Sequence, residues 1–537
     1  MSVDDLDDLT AQVRLHASTL WPDADDDLPE RLIEAIGIRS TPATGSASRW
    51  NERDVMLITY GDSILDAGSR PLDALHAFVS GPVRDAVGTV HILPFSPYSS
   101  DRGFSVIDYD AVDPALGSWA DIEALGGTVD LMFDLVINHI SSQSAWGQQF
   151  RDAAEPGRSF IRVVADNEDT SSVVRPRSLP LLTEVETREG PRNVWTTFSA
   201  DQFDLDWRNP NLAVAMFQVI NRYVEHGARF LRLDAIAYVG KVSGTKSIHL
   251  PQTHELVRLM HTLLSVRAPE VALITETNVP DFDNRSYFGV GDEAHMVYNF
   301  TLPPLLVDGI LHERAERLAS WLRHTTDTPP GTTLFNFMAS HDGIGVRPAE
   351  GMLSDHEIER LVEIAHERGG RHGTYDTPSG PRPYELNISL PDLFGGMDDP
   401  FMPARVLLVH DVMFSLAGIP AVFVNSLVAT TNDHEAVDRD HVRRSINRGS
   451  VSLAELDALD GARREILEGL TQRMINRRAD PTCHPDAAQE VRHVGPVLIV
   501  ERTTVDGSET RTFLHNFAPT PQQAEGVTLA PYESKGV

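Results

Sequence analysis

Eight short apolar or β-branched runs of strand length recur along most of the chain, and longer segments of helical periodicity separate them. The runs are 55–60, 90–95, 131–137, 229–234, 271–276, 296–300, 334–339 and 417–424. Intervening segments such as 212–226 and 254–266 have the apolar spacing of amphipathic helices. Strands that alternate with helices pair in parallel, because each helix crosses back over the sheet. The simplest closure is a (β/α)8 TIM barrel, an α/β fold.

The barrel does not account for the whole chain. Residues 1–50 are predicted to be an acidic helical extension that ends in a loop-like sequence at 40–48. The catalytic barrel is predicted over 51–485, and short strands around turns predict a small antiparallel β domain over 486–537. Two gaps between strands, about 141–206 and 350–400, are too long for plain crossovers. We expect them to form inserted subdomains over the C-terminal mouth, where barrels build substrate sites.

Composition excludes several classes of protein. With 46 basic and 78 acidic residues the formal charge is −32, which disfavours nucleic acid and anionic membranes as partners. The single cysteine, Cys483, cannot form an intrachain disulfide, as is usual in a reducing compartment. The chain begins without a basic and apolar leader, and its longest apolar run is too short to span a bilayer. We therefore expect a cytoplasmic protein.

Acidic residues follow the predicted strands at the rim where barrel enzymes carry their chemistry. Asp234 closes the fourth run, Glu276 closes the fifth, and Asp342 follows the seventh. Two carboxylates about 5 to 5.5 Å apart perform double-displacement glycosyl transfer, one as the nucleophile and the other as the proton shuttle. Arg232 projects to the same side of its strand as Asp234, and we expect it to lower the pKa of that carboxyl and keep it ionised.

Four short motifs occur in order at these positions: DLVINH at 134–139, GARFLRLDA at 227–235, TET at 275–277 and ASHDG at 339–343. On these motifs the chain resembles the α-amylase clan, glycoside hydrolase family 13. The resemblance implies Asp234 as the nucleophile, Glu276 as the general acid/base and Asp342 as the stabiliser of the transition state. The supporting substrate contacts that it implies are Arg232, His139 and His341.

Longer stretches, among them VHILPFSPYSSDRGFSVIDY, RLDAIAYVGKVSGT and SINRG, resemble the sucrose phosphorylase subfamily from about residue 55 onward. In that subfamily phosphate, rather than water, removes the glucosyl group from the enzyme. The resemblance therefore implies inorganic phosphate as a co-substrate and no cofactor. The glucose contacts that it implies are Asp101, Phe104, Phe198, Gln202, Tyr238 and Arg448. The phosphate contacts that it implies are Arg177 and Tyr384.

The chain departs from sucrose phosphorylases on the acceptor side. Arg382 stands where they usually have an acidic residue before the acceptor-loop tyrosine, and Lys246 and Arg347 add two more cations. Neutral fructose gives no reason for these cations, whereas an acceptor carboxylate does. TETNVP, SIHLPQTH and GVRPAEG look most like the glucosylglycerate phosphorylase branch. The resemblance thus implies reversible phosphorolysis of 2-O-α-D-glucosylglycerate to α-D-glucose 1-phosphate and D-glycerate.

Several alternatives stay open at this point. Fructose, fructose 6-phosphate and glycerol are alternative acceptors, and an α-glucoside hydrolase or transglucosidase is an alternative activity. A non-enzymatic barrel is a further alternative, but it should have lost a catalytic carboxylate. Arg177, Arg347, Arg382 and Lys246 are also explained as solvated or ion-paired surface residues. Asn138 occupies a position that ligates calcium in many amylases, yet the subfamily generally lacks the ion, so no metal is expected. The sequence is compatible with a homodimer.

Overall fold

The eight predicted strands form one closed barrel in a computed structural model that describes residues 3–38, 49–377 and 380–537. Every neighbouring pair is parallel, and the eighth strand pairs with the first, with Met56 opposite Ala421. The strands are Met56–Thr59, Thr89–Ile92, Asp130–Val136, Ala228–Asp234, Ala272–Thr275, Met296–Tyr298, Thr333–Phe337 and Ile419–Phe423. Their apolar side chains are buried in one continuous core. The predicted (β/α)8 barrel is confirmed.

Helices cover the outside of the barrel between consecutive strands. Several of them begin with proline in the first turn, where its missing N–H costs no hydrogen bond. They are Pro71–Ser80, Trp119–Gly126, Pro210–Glu225, Pro251–Arg267, Asp281–Arg285, Leu302–Leu311, Glu316–Leu322, Met402–Ser415 and Gly461–Arg478. Met402–Ser415, which contains most of the longest apolar run of the sequence, is a buried helix. Within the described ranges, no helix combines the length and the hydropathy needed to cross a bilayer.

The two long gaps both contain additional secondary structure. The first holds helices Ala145–Arg151 and Gly157–Phe160 and two antiparallel pairs. Those pairs are Leu182–Val185 with Arg192–Trp195 and His139–Ser141 with Gln202–Asp204. The second gap holds helix Asp355–Glu367, hairpin strands Arg371–Thr377 and Gly380–Asn387, and helix Leu390–Leu393. The second hairpin strand also pairs with Ile344–Gly345, the next strand after the seventh barrel strand, so this insertion is tied to the rim of the barrel.

Further elements lie at both ends of the chain and after the eighth strand. Helices Val3–Leu20 and Leu28–Ala35 precede the barrel, and the predicted loop at 40–48 lies outside the described residues. After the eighth strand come helices Val424–Leu427, His434–Asp440 and Leu453–Asp457, and strand Val451–Ser452, which pairs with Ile64–Leu65. Strands Ala488–Val494, Val497–Thr503, Thr510–Asn516 and Ser534–Gly536 form an antiparallel sheet, and Gln522–Ala524 pairs with Val527–Leu529. The exact domain boundaries stay predictions.

Candidate active site

A cavity of about 370 Å³ opens at the C-terminal ends of the barrel strands, beneath the two insertions. The strand ends supply its floor, and the insertions and the segment after helix His434–Asp440 supply its mouth. The residues singled out from the sequence that line it are Asp101, Phe104, His139, Arg177, Phe198, Gln202, Asp234, Tyr238, Glu276, His341, Asp342 and Tyr384. Residues as far apart in the sequence as Asp101 and Tyr384 therefore share one site.

One buried arginine holds two of the three predicted catalytic carboxylates. The Arg232 guanidinium donates to Asp234 at 2.9 Å and lies 3.8 Å from the Glu276 carboxylate. It also pairs with Asp134, which His91 on the second strand contacts at 2.7 Å. Because Arg232 is only 1% exposed and contacts carboxylates from neighbouring strands, the barrel register fixes its position. The two acids therefore face one cation from adjacent strand ends.

The direction of the pKa shift of Asp234 differs from the sequence expectation, in which Arg232 lowers that pKa. Burial raises the pKa of Asp234 well above its usual range, although Arg232 opposes the shift. Burial raises the pKa of Glu276 too, again against Arg232. Two such acids titrate as a pair, and the shorter Arg232 contact favours the charge on Asp234 and the proton on Glu276. That division matches a nucleophile beside a proton donor.

The backbone after Asp234 contributes to the same arrangement. Ala235 has a left-handed φ of 49°, which is unusual for a residue with a Cβ. In this conformation its N–H donates to Oε2 of Glu276 at 3.0 Å. Strained backbone of this kind is characteristic of functional sites. The turn after the fourth strand thus positions the side chain of Glu276, which directly follows the fifth strand.

Asp342 lines the same cavity in a strongly cationic environment. Its carboxylate lies 2.5 Å from Arg444, 3.2 Å from the His341 ring and 3.5 Å from Arg448. Burial alone would raise the pKa of Asp342, but Arg444, His341 and Arg448 outweigh burial and lower it. Arg448 is 3% exposed and also donates to the His341 carbonyl at 2.7 Å, so it supports the wall from behind the cavity lining. Asp342 is therefore ionised and held in place.

Aromatic rings and amides form the wall predicted to receive glucose. Phe104 stacks on the His341 ring with centroids 5.0 Å apart, and Phe198 meets Tyr238 edge to face at 5.7 Å. Nε2 of His139 lies 2.9 Å from the Phe104 carbonyl oxygen and 3.1 Å from Nε2 of Gln202. These contacts hold the aromatic rings and the polar side chains of this wall in fixed positions relative to one another. They leave a preformed pocket whose apolar walls and few polar groups suit a sugar ring.

Asp101 and Arg177 form an ion pair at the mouth side of this pocket. Nη2 of Arg177 lies 2.9 Å from Oδ2 of Asp101, and the guanidinium lies 5.5 Å from the Phe198 ring centroid. Burial opposes ionisation of Asp101, but Arg177, Arg444 and Arg448 lower its pKa to about 2. Arg177 also lines the cavity, so its predicted anion-binding position is at the site. Its charge, however, is already matched by an acid.

Three cations expected on the acceptor side lie outside the cavity lining. Arg382, with 37% of its side chain exposed, pairs with Asp355 and lies 3.7 Å from Glu350. Lys246 is exposed, and its backbone carbonyl accepts the Val174 N–H at 3.0 Å. The acidic surface supplies partners for such residues, which is why a cation on a loop does not by itself reveal a ligand site.

Arg347 is the third of these cations and lies behind the cavity wall. Its guanidinium stacks over the Tyr375 ring at 4.7 Å from the centroid. It also hydrogen-bonds the side chain of Tyr238, which does line the cavity. Arg347 is therefore placed to hold a wall residue, and it is not itself among the described residues that line the cavity.

Sequence reasoning missed three charged residues that line the mouth. Arg444 donates to both oxygens of Glu385, at 2.8 and 2.6 Å, in addition to its contact with Asp342. Arg443 lies next to it in the lining. The signal was present as RRSINRG, because both arginines directly precede the SINRG motif. Glu385 directly follows Tyr384, and its pairing partner lies 59 residues away, which no local pattern reveals.

A lysine side chain contacts Asn138, the residue at the position that ligates calcium in many amylases. The Lys241 ammonium donates to the Asn138 side-chain oxygen at 2.9 Å and lies 3.1 Å from the Asp204 carboxylate. A divalent cation does not fit beside this buried ammonium group, so these residues do not form a calcium site. Elsewhere in the described ranges, no group of three or more His, Cys, Asp or Glu residues could hold a metal ion.

In this parallel barrel the ends of the fourth, fifth and seventh strands bring three carboxylates into one cavity, and two of them face one arginine. This is the active-site architecture of an α-amylase-type, sugar-transferring enzyme. The family described as the catalytic domain of alpha amylase matches residues 86–343. The chain belongs to glycoside hydrolase family 13 and, within it, to the sucrose phosphorylase subfamily. Its relatives are phosphorylases, which transfer a glycosyl group.

Similar proteins support this family assignment over most of the chain. A glucosylglycerate phosphorylase of Allomeiothermus silvanus is 42% identical over 86% of this chain and 85% of its own. One of Escherichia coli is 39% identical, covering 86% of this chain and 84% of the relative. A sucrose phosphorylase of Agrobacterium vitis is 31% identical over 76% of this chain and 84% of its own. The crystal structure of sucrose 6F-phosphate phosphorylase from Thermoanaerobacter thermosaccharolyticum shares the fold, with a TM-score of 0.76 and 24% identity. The match covers 88% of this chain and 96% of that one.

Proposed function

We propose that this protein is a retaining glucosyl phosphorylase that converts 2-O-α-D-glucosylglycerate and phosphate into α-D-glucose 1-phosphate and D-glycerate, reversibly. The observation that carries the proposal is that relatives 39 to 42% identical across most of both chains are glucosylglycerate phosphorylases. The paired carboxylates on Arg232 support the chemistry. The arginines at the mouth support an anionic acceptor.

In the first half-reaction Asp234 attacks the anomeric carbon of the glucosyl group. Glu276 donates its proton to the glycosidic oxygen, so that glycerate departs with its hydroxyl restored. A covalent glucosyl–Asp234 ester remains, and Glu276 is left as a carboxylate. Asp342, ionised through Arg444, His341 and Arg448, stabilises the positive charge that develops on the sugar ring.

In the second half-reaction phosphate replaces glycerate at the mouth. A phosphate oxygen attacks the anomeric carbon, and the ester bond to Asp234 breaks. The Glu276 carboxylate takes the proton from the attacking phosphate hydroxyl, which restores both acids. Two displacements on one carbon retain the α configuration. Arg177 and Tyr384 are the proposed phosphate contacts, and Arg444 joins them because it lines the same mouth.

The remaining parts of the proposal concern what the reaction uses and where it occurs. The partners are the small-molecule substrates, phosphate is a co-substrate, and the chemistry above needs no cofactor. The buried Lys241–Asn138 contact argues against a structural calcium ion. We also propose a cytoplasmic protein, which agrees with its one buried cysteine.

Acceptor profiling with purified protein tests the proposal. In phosphate buffer the protein is incubated separately with glucosylglycerate, sucrose, sucrose 6′-phosphate and glucosylglycerol, and glucose 1-phosphate is measured. We expect release from glucosylglycerate at the highest kcat/KM, and no release by the Asp234→Asn variant. Release from sucrose alone would refute the glycerate assignment and leave the phosphorylase assignment standing. Free glucose formed at the same rate with or without phosphate would identify a hydrolase instead.

A second candidate is sucrose phosphorylase. The sucrose phosphorylase of Agrobacterium vitis, 31% identical over 76% of this chain, is the observation that favours it. Its identity is lower than that of the glucosylglycerate phosphorylases, and neutral fructose carries no charge for the cations at the mouth to bind. The same panel of substrates separates the two candidates.

A further inference from the structure

The cavity lining contains three arginines, and two of them are already matched by acids. Arg177 contacts Asp101, and Arg444 contacts both Asp342 and Glu385. Arg443 differs: within the parts of the chain that the structure describes, it forms no ion pair. Its side chain is exposed, so its guanidinium keeps its contact with water and needs no acidic partner within the protein. Arg443 is therefore the lining cation whose charge is left for a ligand or for solvent.

The charges of the cavity explain why this matters for an anion. The lining acids are Asp101, Asp234, Glu276, Asp342 and Glu385. Each of them contacts at least one arginine, either in the lining or, for Asp234 and Glu276, beneath it. An incoming carboxylate or phosphate thus meets cations that acids have largely neutralised. An additional cation at the mouth, with no acidic partner, makes the local potential more favourable for an anionic ligand.

The position of Arg443 agrees with such a role. The chain leaves helix His434–Asp440 through His441, which has a left-handed φ of 58°, and then enters the 3-10 turn Arg443–Asn447. Residues 441–444 all line the cavity. Across the mouth lies hairpin strand Arg371–Thr377, where burial, His366 and Arg443 together lower the pKa of His372. The turn Arg443–Asn447 contacts both strands of the hairpin that carries Tyr384.

We propose that Arg443 binds the anionic group of the acceptor and sets the preference of the enzyme for anionic over neutral acceptors. The inference rests on the glucosyl phosphorylase function proposed above. The ligand chemistry is a carboxylate on a short polyol, or phosphate in the reverse exchange, held by a charge-assisted hydrogen bond from the guanidinium. Arg443 is a specificity residue, and glucosyl transfer to Asp234 does not depend on it.

The test compares two acceptors that differ at one carbon, which is a carboxylate in glycerate and a hydroxymethyl group in glycerol. α-D-Glucosyl fluoride, a neutral donor, loads the enzyme without involving an anion site, and D-glycerate or glycerol then accepts the glucosyl group. The measured quantity is the ratio of kcat/KM for glycerate to kcat/KM for glycerol. We expect Arg443→Gln to lower this ratio about tenfold, the size of one charge-assisted hydrogen bond, with glycerol transfer unchanged. Arg443→Lys should restore part of the ratio, because it keeps the charge and loses the fork geometry.

Arg439→Gln is the matched control. Arg439 is also exposed and lies on the same segment, but it lines a neighbouring cavity and not the one that contains Asp234 and Glu276. This variant should keep the wild-type ratio. Added NaCl should lower the ratio in the wild type and much less in Arg443→Gln, because salt screens an exposed charge.

The outcomes separate this inference from the proposed function. If the wild type prefers glycerate and Arg443→Gln keeps that preference, Arg443 is a solvated surface residue and the inference is overturned while the function stands. If the wild type shows no preference for glycerate over glycerol, both the glycerate assignment and the inference fail. A ratio that falls equally in Arg439→Gln would also overturn the inference, since it would indicate a general loss of surface charge.

Discussion

The floor and the mouth of the cavity are built in different ways. On the floor, Asp234 and Glu276 end adjacent barrel strands and share the guanidinium of Arg232. At the mouth, Arg177 comes from the first insertion, Tyr384 from the second, and Arg444 from a turn after the eighth strand. Parallel strand pairing fixes the floor, whereas the mouth depends on how separate loops fold over it. We therefore expect floor residues to determine whether glucosyl transfer occurs and mouth residues to determine which acceptor takes part.

The sharpest test of the floor is Asp234→Asn. The amide cannot form the glucosyl ester, so phosphorolysis and transfer from glucosyl fluoride should both fall by roughly 10⁴-fold or more. Initial rates of glucose 1-phosphate and fluoride release measure the two reactions. Thermal unfolding of the variant should show an intact fold. Activity within tenfold of the wild type with either donor would place the nucleophile elsewhere.

Glu276→Gln should have the next largest effect, and its size should depend on the leaving group. We expect a loss of about 10² to 10⁴-fold with glucosylglycerate and a much smaller loss with glucosyl fluoride, which needs little proton assistance. Burial raises the pKa of Glu276, so in the wild type kcat/KM for glucosylglycerate should be high below that pKa and lost as the pH rises through it.

The pH profile of Glu276→Gln supplies the control for this assignment. The variant should lose the alkaline decline in kcat/KM, because its amide does not titrate. A wild-type decline that persists unchanged in the variant would show that another group donates the proton.

Glu385→Gln tests whether the mouth depends on a buried pair. The amide of this variant can accept one hydrogen bond from Arg444 but does not balance its charge, and the side chain of Glu385 is 3% exposed. We expect a loss of about 1 to 3 kcal/mol in the free energy of unfolding and a severalfold rise in the KM for glycerate, with a smaller change in kcat. Urea denaturation and acceptor kinetics measure these effects. Glu363→Gln, which removes a 61% exposed partner of Arg360, is the matched control and should change the stability little.

Arg382→Gln should have the smallest effect. Its partners are Asp355, 76% exposed, and Glu350, and surface pairs of this kind contribute about 0 to 1 kcal/mol. The KM for glycerate should therefore change less than about threefold. A tenfold rise would show that Arg382 contributes to acceptor binding, as the sequence suggested.

The floor could be predicted from the sequence because its chemistry follows strand ends. A run that ends in Asp234 or Glu276 places that side chain at the barrel rim whatever the loops do, and the structure places both there. The contact of Arg232 with Asp234 follows from the two-residue period of a strand in the same way. The net pKa of Asp234 did not follow, because burial is a property of the whole assembled site.

The mouth could be predicted only in part. Its acceptor-side cations were expected at Arg382, Lys246 and Arg347, but none of these lines the cavity. The structure pairs Arg382 with Asp355, which is 27 residues away in the sequence. The lining positions belong instead to Arg443 and Arg444, whose neighbours come from the insertion hairpin. Contacts between segments so far apart leave no periodic or local signal. A loop arginine can be identified from the sequence, but its partner cannot.

The ammonium group of Lys241 beside Asn138 and Asp204 has a consequence for the conditions in which the enzyme can work. Inorganic phosphate and hydroxy acids sequester alkaline-earth ions, so a catalyst stabilised by a dissociable ion could be stripped by its own reactants. A cation that is covalently part of the polypeptide cannot be removed by chelation. The loops around the third and fourth strand ends therefore keep their electrostatic support at any concentration of these reactants.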